Sequence, residues 1–80
     1  GSGFRMSKLP QVSSKEMVRV LIHLGFEFKS QKGSHLKFIK KHSHGKEVVI
    51  VPNHKTLRQG TLANILGKLN LDTEKLKELI

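Results

Sequence analysis

The chain has 80 residues, so it can form one small domain and has no room for a second core. It contains no cysteine, which excludes a disulfide framework and a thiolate metal site, and no apolar stretch approaches the ~20 residues of a membrane span. The formal net charge of +9 favours a polyanionic partner. We therefore expect no membrane partner and a reducing, cytoplasmic location.

Residues 1–5 precede Met6 and show no structural pattern of their own. We interpret them as a remnant left by cloning, which leaves 6–80 as a single domain. The first predicted helix follows Ser13, which forms a capping-box pattern with Glu16. The apolar side chains after it fall on one broad stripe: Met17, Val18, Leu21, Ile22 and Leu24. Gly25 is predicted to end this helix, because glycine readily adopts the left-handed conformation.

Three antiparallel strands are predicted after Gly25, where the apolar period changes from 3.6 to 2. The first two strands are separated by a turn at 32–34, and a polar turn at 41–46 leads to the third. The third strand, 47–51, is a nearly continuous β-branched run, which favours a central or covered position. Pro52 is predicted to end it.

Two further helices are predicted at the carboxyl-terminal end, after a basic connector at 53–60. The first begins at Thr61 and carries an apolar row at i, i+3, i+4 and i+7, which comprises Leu62, Ile65, Leu66 and Leu69. Asn70 is predicted to cap its end, and Asp72 to cap a short last helix that runs to Leu79.

Helices before and after an antiparallel sheet can cover the same face of that sheet. The sequence therefore predicts an α+β fold with two layers, in the order α-β-β-β-α plus a short carboxyl-terminal helix. The period of 2 places four side chains against the helices: Phe26, Phe28, Leu36 and Phe38. It places four others on the solvent side: Lys29, His35, Lys37 and Lys41. Ile39 is an apolar exception on that exposed face.

The positive charge is confined to the middle of the chain. Residues 26–58 carry eight lysines and arginines against two glutamates, a net charge of +6, whereas 59–80 are neutral. A merely soluble surface would spread the charge more evenly. The distribution therefore predicts a nucleic-acid footprint.

Gly33-Ser34-His35 lies inside this basic segment, at the start of the second strand. An imidazole exchanges a proton near neutral pH, and lysines beside it can hold a phosphate chain. RNA also carries its own nucleophile, the 2′-hydroxyl, so its cleavage needs no metal if a side chain moves the proton. The residues alone favour the simpler interpretation, a histidine that only hydrogen-bonds a turn.

Three segments together resemble the HicA family, the toxins of HicAB toxin–antitoxin systems: Gly33-Ser34-His35-Leu36-Lys37-Phe38, 49–55 (Val-Ile-Val-Pro-Asn-His-Lys) and 60–66 (Gly-Thr-Leu-Ala-Asn-Ile-Leu). The resemblance implies a double-stranded-RNA-binding-like fold and the toxin of a type II toxin–antitoxin system. It implies an endoribonuclease that cleaves mRNA, with His35 as the catalytic histidine. It also implies a HicB-like antitoxin that blocks the activity.

The residues expected to contact RNA are Lys29, Lys32, Gly33, Ser34, Lys37, Lys41, His54 and Lys55. His54 is also the best candidate for a second proton-transfer group by its chemistry, although a phosphate contact is the commoner role for such a connector residue. His42 and His44 form a weak metal pattern that is better interpreted as a solvated turn, so we expect no metal and no cofactor. The competing hypothesis is a non-catalytic RNA-binding module with the same fold.

Overall fold

The computed structural model describes residues 9–80 of the chain, and the interpretation of residues 1–5 lies outside the described residues. The elements are α1 (Ser14–His23), β1 (Glu27–Lys32), β2 (His35–His42), β3 (Gly45–Pro52), α2 (Gln59–Leu69) and α3 (Thr73–Leu79). The predicted α+β order of one helix, three antiparallel strands and two helices is confirmed. None of the helices in residues 9–80 has the length and apolar character needed to cross a membrane.

The helix ends follow from local hydrogen bonds that the sequence predicts. The Ser13 hydroxyl accepts from the Glu16 amide at 3.1 Å, and the Glu16 carboxylate accepts from the Ser13 amide at 2.9 Å, which completes the capping box. Asp72 accepts from the Lys75 amide at 2.8 Å. Asn70 ends α2 in the left-handed conformation, with φ of 55°. The start of α2 differs from the prediction: the helix begins at Gln59, where no side chain caps it.

The sheet has the order β1-β2-β3, so β2 is the central strand. Of the two positions predicted for the third strand, central or covered, the covered one is confirmed. β3 is an edge strand, but α1 and α2 both pack on it, which explains its nearly continuous apolar sequence. Both hairpin turns have two residues, at 33–34 and 43–44, so β2 and β3 extend further toward their shared turn than the sequence predicts.

The core lies between the helices and one face of the sheet. Its fully buried side chains come from every layer: Val12, Met17, Val20, Leu21, Phe38, Val49, Val51, Leu57, Leu62 and Leu76. On α1 the predicted stripe is shifted, because Val20 is fully buried and Ile22 is 53% exposed. Leu57, in the connector before α2, is also buried, and its amide donates to the Val12 carbonyl at 2.8 Å.

Two side chains of the sheet depart from the predicted alternation of burial. Phe28 pairs with Phe38 and its ring contacts the Phe38 ring edge-on, with centroids 5.7 Å apart, yet Phe28 is 55% exposed. The helices pack over β3, at the other edge of the sheet, and leave β1 uncovered. Ile39, predicted to be exposed, is 8% exposed because the central strand places it between Glu27 of β1 and Val48 of β3.

Candidate nucleic-acid interface

The face of the sheet opposite the helices is basic and partly apolar; we call it the open face. The register of β2 against β3 pairs His35 with Pro52, Lys37 with Ile50 and Lys41 with Lys46. Side chains that are paired across strands project from the same face of the sheet. His35, Lys37 and Lys41 therefore share the open face, as the period of 2 predicts.

A β-bulge in β1 brings another lysine to the same face. Phe28 pairs with Phe38 and Ser30 pairs with Lys37, so Lys29 is an extra residue in β1. The extra residue reverses the alternation after it. Ser30 and Lys32 consequently lie on the open face, where strict alternation from Phe28 would have placed them on the helix face.

His35 lies in a concave region that we call the basic groove. This groove has a volume of about 380 Å³ and is lined by Ser30, Lys32, His35, Lys37 and Ile50. His35 is exposed, and its strand partners are Lys32 on one side and Pro52 on the other. The groove therefore combines one imidazole with two ammonium groups, and a phosphate diester between the ammonium groups would lie beside the imidazole.

The turn before His35 is held by hydrogen bonds on both sides. Gly33 has φ of +60°, a conformation that glycine adopts without the penalty other residues incur. The Gln31 side chain donates to the Gly33 carbonyl at 2.9 Å, and the Asn53 amide donates to the Ser34 carbonyl at 2.6 Å. The end of β3 thus fixes the backbone that presents His35.

Ser14 connects this region to α1. Its side chain is 3% exposed, and its hydroxyl accepts from the His54 amide at 2.6 Å. The same hydroxyl lies within donating distance of two carbonyl oxygens, those of Pro52 and, at 2.8 Å, His54. The Ser14 amide also donates to the His54 carbonyl at 3.1 Å. We call these buried hydrogen bonds between Ser14 and residues 52–54 the clamp. The clamp fixes the path of the chain as it leaves β3.

The other residues predicted to contact RNA lie outside the basic groove. Lys29 is exposed at the bulge, and Lys41 is exposed on the open face six residues from His35, about 20 Å along the strand. His54 and Lys55 are exposed in the connector, next to the turn that carries Gly33 and Ser34. The groove therefore gathers Lys32 and Lys37 around His35, while the remaining cations extend the basic surface.

A second concave region, which we call the α2–β3 cleft, adjoins the groove at His35 and Ile50. It has a volume of about 250 Å³. Besides His35, its polar residues are Thr61, Asn64 and Lys68 of α2. The Lys68 ammonium donates to the Val48 carbonyl at 3.2 Å, which ties α2 to the outer edge of β3.

Sequence reasoning missed Ser14 and the polar residues that α2 contributes to the α2–β3 cleft. The spacing of Thr61, Asn64 and Lys68 at i, i+3 and i+7 was a usable signal, because it places them on one helix face. The sequence could not show that this face lies along β3. For Ser14 there was no signal, since its partners are about 40 residues away in the chain.

One helix, a three-stranded antiparallel sheet and two following helices, with a basic open face, define a domain of the double-stranded-RNA-binding-like class. The family described as the HicA toxin of bacterial toxin–antitoxin systems matches residues 14–71. The chain belongs to this family, and is a HicA toxin of a toxin–antitoxin system. Membership implies a cognate antitoxin partner. No individual curated protein matches the sequence.

Proposed function

We propose that this toxin is a metal-independent endoribonuclease that cleaves mRNA, with His35 as its catalytic residue. The observation that carries the proposal is the position of His35 in one groove with Lys32 and Lys37. HicA toxins are known as mRNA interferases, which supports mRNA as the substrate of the proposed activity.

The chemistry needs groups that the groove contains, the RNA itself and solvent water. The 2′-oxygen attacks the adjacent phosphorus and the bond to the 5′-oxygen breaks, which leaves a 2′,3′-cyclic phosphate and a 5′-hydroxyl. The proton of the 2′-hydroxyl must leave and the 5′-oxygen must gain one. His35 performs one of these two transfers, a contribution of about 10²–10⁴-fold in rate, and a water molecule carries the other proton. Lys32 and Lys37 stabilise the negative charge that develops on the phosphorane.

The alternative function is a non-catalytic RNA-binding module. One observation favours it: His35 is the one histidine among the described residues that line the basic groove, and the other titratable groups there are lysines. A binder would use the lysines for phosphate contacts and would not require the imidazole. Removal of the imidazole therefore distinguishes the two functions.

The test compares the wild-type chain with His35→Ala, and uses His23→Ala as the matched control because His23 is exposed at the end of α1, outside the groove. Purified proteins are incubated with mRNA in a chelating buffer, and the products are examined for 2′,3′-cyclic phosphate ends. We expect cleavage by the wild type and by His23→Ala, and a loss of at least 10²-fold for His35→Ala with RNA binding retained. Undiminished cleavage by His35→Ala would refute the assignment.

We further propose that a HicB-like antitoxin neutralises the toxin by covering the open face. An acidic surface on the partner would match the charge of Lys32 and Lys37 and exclude RNA from His35. Co-purification of the toxin with its antitoxin, followed by protection mapping, tests this. We expect the antitoxin to protect residues of β2, and a complex with the His35 face accessible would contradict the proposal.

A further inference from the structure

The α2–β3 cleft and the basic groove meet at His35 but differ in their chemistry. The groove presents two ammonium groups, which suit a phosphate chain. The walls of the cleft are mainly apolar, with Ile50, Pro52 and Ile65 among them, and its polar groups are supplied by α2. A nucleotide bound with its phosphate in the groove would therefore have an apolar recess with hydrogen-bonding groups next to its reacting end.

The size of the cleft fits one nucleobase. Its volume of about 250 Å³ leaves room for a single planar base. Proteins that recognise single-stranded RNA place splayed bases against flat apolar or aromatic surfaces and read their edges by hydrogen bonds. The walls formed by Ile50 and Pro52 provide such a surface.

Asn64 is the group best suited to read the base edge. Its carboxamide carries both a donor and an acceptor, the combination that pairs bidentately with a base edge. Asn64 is exposed, one helical turn from Thr61 and one from Lys68. Lys68 is already engaged with the Val48 carbonyl, and Asn64 lies between Thr61 and Lys68 along the face of α2 that lines the cleft.

We propose that the α2–β3 cleft is a base subsite of the ribonuclease, which takes one unpaired nucleobase adjacent to the cleaved phosphate, and that Asn64 determines which base is accepted. This inference rests on the proposed function, since it assigns the substrate preference of the same centre. The base discrimination supplied by one bidentate contact is about 5- to 150-fold.

The test measures cleavage rates on an RNA library in which the positions flanking the cleavage site are randomised. The proteins are the full-length wild type, Asn64→Ala, Asn64→Asp and Gln59→Ala. Asn64→Asp keeps the side-chain shape but replaces the amide donor by an acceptor and adds a negative charge. The charge lowers the rate for every base alike, so a change in the ranking of the bases reports hydrogen bonding. Gln59 is the matched control, because it is an exposed amide on α2 outside the lining of the cleft.

We expect Asn64→Ala to reduce kcat/KM about 5- to 150-fold for the preferred base at one flanking position, with little change for the least preferred base. Asn64→Asp should change the ranking of the four bases, and Gln59→Ala should keep the wild-type profile. Circular dichroism checks that each variant folds. An unchanged base profile in both Asn64 variants would overturn the base subsite while the ribonuclease proposal stands.

A binding experiment separates failure of the subsite from failure of the proposed function. His35→Ala and the double variant His35→Ala/Asn64→Ala are titrated with short single-stranded RNAs that differ in one base. We expect the affinity of His35→Ala to depend on the base, and the affinity of the double variant to be the same for all bases. If the wild type does not cleave RNA but this difference is found, the proposed function fails and the cleft stands as a base-binding site. Base-independent affinity in both proteins would overturn the subsite.

Discussion

Replacing Ser14 with alanine should destabilise the fold at the junction of α1, β3 and the connector. The hydroxyl is 3% exposed and binds the His54 amide at 2.6 Å, together with carbonyl oxygens of Pro52 and His54. Two lost hydrogen bonds cost about 2 kcal/mol, since each contributes about 1 kcal/mol net. Alanine is a better helix former than serine by about 0.5 kcal/mol, which offsets part of the loss. The expected net loss is therefore about 1.5 kcal/mol.

Urea denaturation of the wild type, Ser14→Ala and Ser43→Ala measures this loss. Ser43 is exposed in the β2–β3 turn, so its substitution should change the free energy of unfolding by less than about 0.5 kcal/mol. The expected loss for Ser14→Ala corresponds to a decrease of about 6–12 °C in Tm. Amide exchange adds a local readout, because the His54 amide should exchange faster in Ser14→Ala. A loss below about 0.5 kcal/mol, with an unchanged slope against urea, would refute the clamp as a stabilising contact.

Lys32→Gln should lower the slope of log affinity against log salt for single-stranded RNA by about 0.7, whereas Lys77→Gln on α3 should leave the slope unchanged. Fluorescence anisotropy from low to moderate salt measures the slope. Equal slopes for the two variants would remove Lys32 from the interface. Gly33→Ala should cost about 1–2 kcal/mol in the free energy of unfolding, because φ of +60° places its backbone in the left-handed region, and Gly33→Asn should cost less. Equal costs in urea denaturation would contradict this. Phe38→Ala should lower the free energy of unfolding by about 3–5 kcal/mol, and substitution of the half-exposed Phe28 with alanine should lower it clearly less. A larger loss for Phe28→Ala than for Phe38→Ala would place the β1 edge in the core.

Local patterns predicted the elements of this fold because their interactions are short-range. The capping box of Ser13 and Glu16 and the cap at Asp72 involve residues three apart, and the turn at Gly33 depends on one backbone conformation. The period of 2 in β2 likewise placed His35 and Lys37 on one face. These features correctly predicted the order of elements and the face of the sheet that carries His35.

The departures occur where the position of a residue depends on distant partners. Strict alternation assigned Phe28 to the core, but the helices lie over β3 and leave it exposed. Ile39 is buried because the central strand is flanked on both sides, which the pattern of one strand cannot indicate. The bulge at Lys29 is another such case, since only the pairing with β2 reveals the extra residue that brings Lys32 beside His35.

The sequence by itself determined the caps at Ser13, Asn70 and Asp72, the existence of the two hairpin turns, the basic middle segment and the family, because each depends on residue type at short spacing. Only the tertiary structure decided which groups surround His35. The groove depends on the register between β1 and β2, the clamp joins Ser14 to a connector 40 residues away, and the α2–β3 cleft requires the packing of α2 on β3. These contacts are long-range, and the geometry of the folded chain defines them rather than any local pattern.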